Sequence, residues 1–396
     1  MDHNLIIKQN WRKRANDSIA QGALTNSKRP SCFVEGVYPT HSEKSKGCYI
    51  YSANGQRYID FIGGLGTNLL GYGNDEIADA VGLAARSGSC PSLPSYLEVQ
   101  LAEKLKEFFP WVEKWRFLKS GSEACSAAVK IARAHQGTNL VYSDGYHGWH
   151  DTFTSITPPA IGVVETQCVT KELSEIATYA AKIIEPVMLD SSRERIEEVK
   201  RIKQNYSGLL INDEIITGFR YKDHSVSKHH SLNPDLICLG KAVANGFPLS
   251  LIGGKSSVME CDEYFVSSTF AGDTIAITAA LKTLELLRSK YDINELIELG
   301  ERFVGEFNAL NGPVKIKGYP TRGVLEADPL HKALFMQEAC KAGVLFGSSW
   351  FISFAHREVI DDVLKICESV FFKIKNGMAK LEGKAPVSPF AERVRR

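Results

Sequence analysis

The most reactive arrangement in this sequence is a lysine that an apolar strand delivers into a small-residue loop, Asp235-Leu236-Ile237-Cys238-Leu239-Gly240-Lys241-Ala242-Val243-Ala244-Asn245-Gly246. Strand ends beside tight glycine turns are crowded and partly dry, and desolvation lowers an amine's pKa and makes it a nucleophile toward aldehydes. A lone lysine is ordinarily a solvated surface charge; the context singles out Lys241. A second segment, Leu209 to Arg220, ends an apolar run on two adjacent carboxylates, Asp213 and Glu214. Buried carboxylates are costly unless paired or hydrogen-bonded. An aspartate facing a pyridine nitrogen is one such pairing, because it keeps that nitrogen protonated and the ring an electron sink. For Glu214 and Arg220 a strand-end salt bridge is the simpler expectation. No metal is expected, since no His or Cys stands at ligand spacing near these carboxylates.

Two further segments offer binding groups. In Phe117-Leu118-Lys119-Ser120-Gly121-Ser122-Glu123-Ala124 a strand turns into an Ala-rich helix over 123–135. Free backbone N–H groups and the positive helix end make such a turn an anion site, and Ser120 and Ser122 add hydroxyl donors. A plain Ser N-cap with Glu behind it explains the same residues equally well. Tyr146-His147-Gly148 follows the turn Ser143-Asp144-Gly145, where a tyrosine face could stack on a flat ring or simply pack.

The elements that must position these residues read as an α/β protein. From about 75 to 255, helical stretches such as 192–205 alternate with short apolar strands at 140–142, 182–184, 209–211, 236–239 and 251–252, the pattern of a mostly parallel sheet. Ligands of such sheets sit at the strands' carboxyl ends. Upstream, Tyr49-Ile50-Tyr51 and Arg57-Tyr58-Ile59-Asp60 flank Asn54-Gly55, a hairpin signal. Downstream of a helix over 274–289 come strands near 314–316, 324–325 and 351–354 and helices near 329–342 and 357–376. The expected division is an N-terminal arm (1–45), a large domain (46–285) and a smaller C-terminal α/β domain (286–396).

Composition limits the remaining classes. The 47 basic and 46 acidic side chains nearly cancel, so no overall field directs the chain to nucleic acid or an anionic membrane. Basic clusters at Lys8, Arg12, Lys13 and Arg14 and at Arg393, Arg395 and Arg396 read as solvated termini. Nine cysteines without a C-x-x-C pair argue against a disulfide framework or zinc cluster. With no signal-peptide core and no membrane-length apolar run, the expected location is the cytoplasm.

Taken in order, Tyr58-Ile59-Asp60-Phe61, Leu70-Gly71, Ser120-Gly121-Ser122-Glu123-Ala124, Tyr146-His147-Gly148, Glu185-Pro186-Val187, Asp213-Glu214-Ile215-Ile216-Thr217-Gly218-Phe219-Arg220 and Leu239-Gly240-Lys241-Ala242 resemble the class III aminotransferases of fold type I, which depend on pyridoxal 5′-phosphate (PLP). Within the class, the landmarks read most like those of the glutamate-1-semialdehyde 2,1-aminomutases. The resemblance implies Lys241 as the Schiff-base lysine and Asp213 as partner of the pyridine nitrogen. It further implies Ser120, Gly121 and Ser122 at the phosphate, Tyr146 and Ile215 on the two ring faces, and His147 beside them. Thr269 resembles a threonine that reaches the phosphate of a neighbouring subunit, which implies a homodimer. Arg29 falls near the position of a carboxylate-binding arginine, although a surface arginine would fit there as well.

The segments expected to touch substrate depart from the aminomutase pattern. Gly64-Leu65-Gly66-Thr67 replaces a Ser-Trp-Gly-Pro-like stretch, the span from Tyr146 to Glu185 is short, and Gly347-Ser348-Ser349-Trp350-Phe351-Ile352 lacks the family's acidic residue. The expected activity is therefore amino transfer between a small-molecule donor and a carbonyl acceptor. An aminomutase, racemase or decarboxylase on the same scaffold is the alternative.

Overall fold

The computed structural model describes residues 10–154, 156, 160, 162–170, 178–189, 192–205, 207–261 and 264–387. Lys8, Arg393, Arg395 and Arg396 lie outside them. By contacts the chain divides at 74/75 and 295/296: described residues within 1–74 and 296–391 form one compact unit, and those within 75–295 form the other.

The first unit begins with a meander of β1 (Ser42–Lys46), β2 (Tyr49–Ser52) and β3 (Arg57–Asp60). Gly55, with φ of 81°, makes the β2–β3 turn, and its N–H donates to Ser52 O at 2.9 Å. The Asn54-Gly55 signal thus becomes the expected hairpin.

The second unit carries a seven-stranded sheet of β4 (Lys114–Leu118), β5 (Val141–Asp144), β6 (Cys168–Val169), β7 (Ala181–Ile184), β8 (Leu209–Asp213), β9 (Leu236–Leu239) and β10 (Ser250–Gly254), in the spatial order β4-β10-β9-β8-β7-β5-β6. Strands β9, β8, β7, β5 and β6 pair in parallel, while β10 runs antiparallel to both β4 and β9. Strands covered on both faces are mostly apolar, and every residue of β7, β8, β9 and β10 is buried, the polar Lys182, Asn212, Asp213 and Ser250 among them.

The helix Gly121–Gln136 lies across this sheet on a face of small residues, with Ala124, Cys125, Ala127, Ala128, Val129, Ile131 and Ala132 buried. Ser120 and Glu123 form a reciprocal capping box that starts it, and Gly137 ends it in the left-handed conformation. Such a cap contributes about 1 kcal/mol. It holds the first turn of the helix open at the carboxyl end of the sheet. On the same unit, the helix Thr274–Ser289 packs on the helices Asp75–Ser87 and Tyr96–Phe108.

The rest of the first unit is C-terminal in sequence. There β11 (Lys315–Tyr319), β12 (Arg322–Glu326) and β14 (Ser349–Phe351) form an antiparallel sheet, and β13 (Val344–Leu345) pairs in parallel with β3. This pairing ties the early hairpin to the late chain. An aromatic core seals the same join, with Phe61 stacked 5.0 Å from Phe303 and 4.9 Å from Phe346. The run at 351–354 reads as a strand in sequence but stops at Phe351. Ser353 and His356 form a reciprocal cap, with Ser353 N donating to His356 Nδ1 at 3.0 Å, and the chain turns into a short 3-10 segment. Among the described residues no helix is long and apolar enough to cross a membrane.

Phe61 is fully buried. Truncation to Ala removes a large aromatic side chain from a packed interior, which costs about 3–5 kcal/mol. Phe61→Ala should lower the midpoint of urea unfolding markedly, and an unchanged midpoint would show that the aromatic join carries little stability.

Candidate active site

Asp213 ends β8 and is buried, yet it is richly solvated by protein. His147 Nδ1–H donates to its Oδ2 at 2.8 Å, the Ile215 amide donates to its Oδ1 at 3.0 Å, and the Cys125 thiol reaches Oδ2 at 3.3 Å. Burial by itself would raise the Asp213 pKa. The His147 hydrogen bond and charge, the Ile215 amide and the charge of Lys241 outweigh it and hold the carboxyl below its ordinary range. The group is therefore a carboxylate in a dry place, and Oδ1, with one donor, keeps lone-pair capacity for another. His147 is itself buried, and among the described residues its Nε2 has no hydrogen-bond partner.

Lys241 follows β9 and Gly240 directly and has a positive φ of 42°. That backbone region costs a non-glycine residue roughly 1–2 kcal/mol, and strain of this kind concentrates at functional sites. The fold brings Gly121, Gly240 and Ile215 together: a Cβ at either glycine would come within 3.0 Å of an Ile215 methyl group. A side chain at either position would have to push Ile215 aside by a few tenths of an ångström. Ile215 therefore forms an apolar floor between the helix start, the end of β8 and the lysine loop.

At the helix start, the capping box uses the Ser120 hydroxyl. Ser120 Oγ donates to Glu123 Oε2 at 3.1 Å and accepts from Glu123 N at 3.3 Å, while Lys119 N and Ser120 N also donate to Glu123 Oε2. The helix leaves the amides of Gly121 and Ser122 without intrahelical acceptors. Ser122 Oγ accepts from Trp149 N at 3.3 Å, so its own proton remains to be donated. Gly148, at φ of 111°, makes that approach possible, because a Cβ there would sit 2.3 Å from Ser122 Oγ. Two amides and a hydroxyl at a positive helix end suit a dianionic phosphate.

Tyr146, next to His147 in the chain, has 48% of its surface exposed. Its ring is thus available to a ligand, while its N–H donates to Glu185 Oε1 at 2.8 Å. Ser120, Gly121, Ser122, His147, Asp213, Ile215 and Lys241 all fall in the second unit, joined by the contacts above. Thr269 belongs to the same unit and is exposed. Arg29 lies in the first unit, half-buried, with its Nε buried and without an acceptor among the described residues.

Two participants escape a reading by sequence. Cys125 and Glu185 reach Asp213 and Tyr146 across 88 and 39 residues of chain, and no local pattern announces such contacts. The fold also brings ligand atoms of Cys125, His147 and Asp213 within 4.8 Å of one another, a cluster that sequence spacing does not show. Its donors are already directed at the Asp213 carboxylate.

These features suit PLP: a phosphate cradle at Gly121 and Ser122, a carboxylate with spare acceptor capacity, an exposed aromatic face and an adjacent lysine. Because Asp213 is held below the ordinary carboxylate value of about 3.9, it stabilises the fold above that pH. The contribution is lost as pH falls through the depressed value. In cofactor-free protein, the stability advantage over Asp213→Asn should stay level down to about pH 4 and shrink below it. An advantage that grows on acidification, measured by denaturant unfolding, would refute this ionisation state.

A family profile described as aminotransferase class-III matches residues 34–164 and 165–363. A 3-aminobutyryl-CoA aminotransferase from Cloacimonas acidaminovorans is 31% identical, over 76% of this chain and 79% of that protein. A glutamate-1-semialdehyde 2,1-aminomutase from Archaeoglobus fulgidus is also 31% identical, over 84% of this chain and 92% of its own. Among solved structures, the FumI protein of Sphingopyxis sp., in its PLP internal aldimine form, superposes with a TM-score of 0.85. It shares 22% identity, and the match covers 96% of this chain and 99% of that one. The fold of this chain is thus that of the PLP-dependent transaminases, fold type I.

Proposed function

Because the chain belongs to the class-III aminotransferase family, we propose that the residues gathered around Asp213 are its PLP site and that they serve amino transfer from a donor to a separate carbonyl acceptor. The observation that supports this most is the buried carboxylate held ionised, with acceptor capacity to spare, beside Lys241.

Bound PLP supplies an aldehyde that captures amines and a ring that withdraws electrons from the carbon losing its proton. The Gly121 and Ser122 amides and the Ser122 hydroxyl would hold the phosphate, and Asp213 Oδ1 would hold a proton at the ring nitrogen. His147 keeps Asp213 charged and oriented, while Tyr146 and Ile215 would bound the two ring faces. Lys241 Nζ would be the group that binds the cofactor and, as base and then acid, moves the substrate's α-proton. Ser120 supports the cradle by capping the helix. Arg29 is proposed to receive a substrate carboxylate, which suits guanidinium geometry.

The working unit is proposed to be a cytoplasmic homodimer. Phe265, Phe270, Leu93, Tyr96 and Val99, all in the second unit, are each more than half exposed. Phe265 and Phe270 flank Thr269 in the sequence, and large exposed apolar side chains beside it suit a partner surface.

An aminomutase reading rests on the 31% identity to the Archaeoglobus enzyme, and one experiment separates the two. With purified protein and PLP, an amino donor should bleach the yellow colour, and turnover should require a second carbonyl compound. Turnover of a single amino-carbonyl substrate without it would favour an aminomutase, and release of carbon dioxide a decarboxylase. Lys241→Ala should lower kcat at least 100-fold, the lower range for loss of a general acid–base group. A variant that keeps full activity would overturn the role given to Lys241.

A further inference from the structure

We infer that Arg195, on the helix Arg193–Asn205, is a positioning residue for the ring-stacking loop; this rests on the reading of Tyr146 given above. Arg195 Nη2 lies 2.8 Å from Asp144 Oδ2 and donates to Glu185 O at 2.9 Å, and Nη1 lies 3.0 Å from Glu198 Oε2. Its side chain is 10% exposed. Asp144 and Glu198 are 25% and 52% exposed, and a planar guanidinium can hold several acceptors at fixed angles where an ammonium cannot.

What Arg195 joins gives the contact its meaning. Asp144 is the last residue of β5, and Glu185 immediately follows β7, the parallel neighbour of β5. Glu185 N donates to Asp144 O at 3.0 Å, so the two strand ends are already linked by backbone. Arg195 adds a charged link from the helix behind them. The next residues after Asp144 are Gly145, Tyr146 and His147. Glu185 is buried, and its Oε1 accepts the Tyr146 N–H at 2.8 Å. Gly145, at φ of 125°, presses against the same carboxylate, where a Cβ would lie 2.8 Å from Oε1.

A continuous set of contacts therefore runs from Arg195 through Asp144 and Glu185 to the main chain of Tyr146, and through the adjoining His147 to Asp213. Arg195 touches no reacting atom. It fixes the height and tilt of Tyr146 and the direction of the His147 donor.

The test compares wild type with Arg195→Ala and Arg195→Lys, all loaded with PLP. Three quantities are read: kcat and KM for an amino donor, visible circular dichroism per bound cofactor, and the pH midpoint of the visible absorbance. Small misplacements at a distance can cost about 100-fold in rate. Arg195→Ala should therefore lower kcat between about 10- and 100-fold with little change in KM, weaken the visible dichroism and shift the pH midpoint. Arg195→Lys, which keeps one charged donor, should recover part of each. If either folded variant loses only thermal stability, with kcat, dichroism and pH midpoint as in wild type, Arg195 is merely structural and the inference falls. Should Arg195→Ala not fold, Arg195→Lys alone decides, by the same readouts. A wild-type protein that takes up no PLP and shows no visible band would overturn the cofactor reading itself, and this inference with it.

Discussion

A carboxylate kept charged without water is the constraint on which the rest of the second unit depends. Burying an ionised group costs several kcal/mol unless hydrogen bonds and opposite charge replace its hydration. Around Asp213 the replacement comes from the Ile215 amide two residues on and from His147 and Cys125, 66 and 88 residues away in sequence, with the charge of Lys241 adding to the field. Each donor sits at the carboxyl end of the parallel sheet or on the helix that crosses it. Removing the sheet's register would strand the charge, so the fold and the ionisation state stabilise one another.

The phosphate-type cradle arises from a different economy of donors. Glu123 takes up the Ser120 hydroxyl and the amides of Lys119 and Ser120. The next two amides, of Gly121 and Ser122, are left without intrahelical acceptors. Gly148 leaves room for Ser122, and Gly121 and Gly240 lie tight against the Ile215 side chain. Close approach to Ser122 and Ile215, as much as polar chemistry, brings the helix start, the Tyr146 loop and the Lys241 loop to one place.

A comparable economy governs the first unit, where residues near both ends of the chain share one core. Phe61 is sandwiched with Phe303 and Phe346, and β3 completes its sheet with β13, drawn from near residue 344. The hairpin at Asn54-Gly55 is local and forms where its turn residues predict. Its partner strand is not local, and nothing near residue 60 specifies it.

Sequence alone determined the elements and the chemical vocabulary. The buried strands are mostly apolar runs, the helix Gly121–Gln136 carries its own cap and Ala-rich face, and the lysine, the aspartate and the Ser-Gly-Ser turn stand at strand ends where an α/β sheet binds ligands. These signals are legible because propensity, periodicity and turn chemistry act over a few residues. Only tertiary structure decided which donors surround Asp213, that Ser120 spends its hydroxyl on Glu123, that Glu185 and Arg195 stand behind Tyr146, and that the early hairpin shares a unit with the late chain. Those outcomes depend on contacts spanning tens to hundreds of residues, where the energy belongs to a pair brought together by the whole fold and leaves no pattern beside either member.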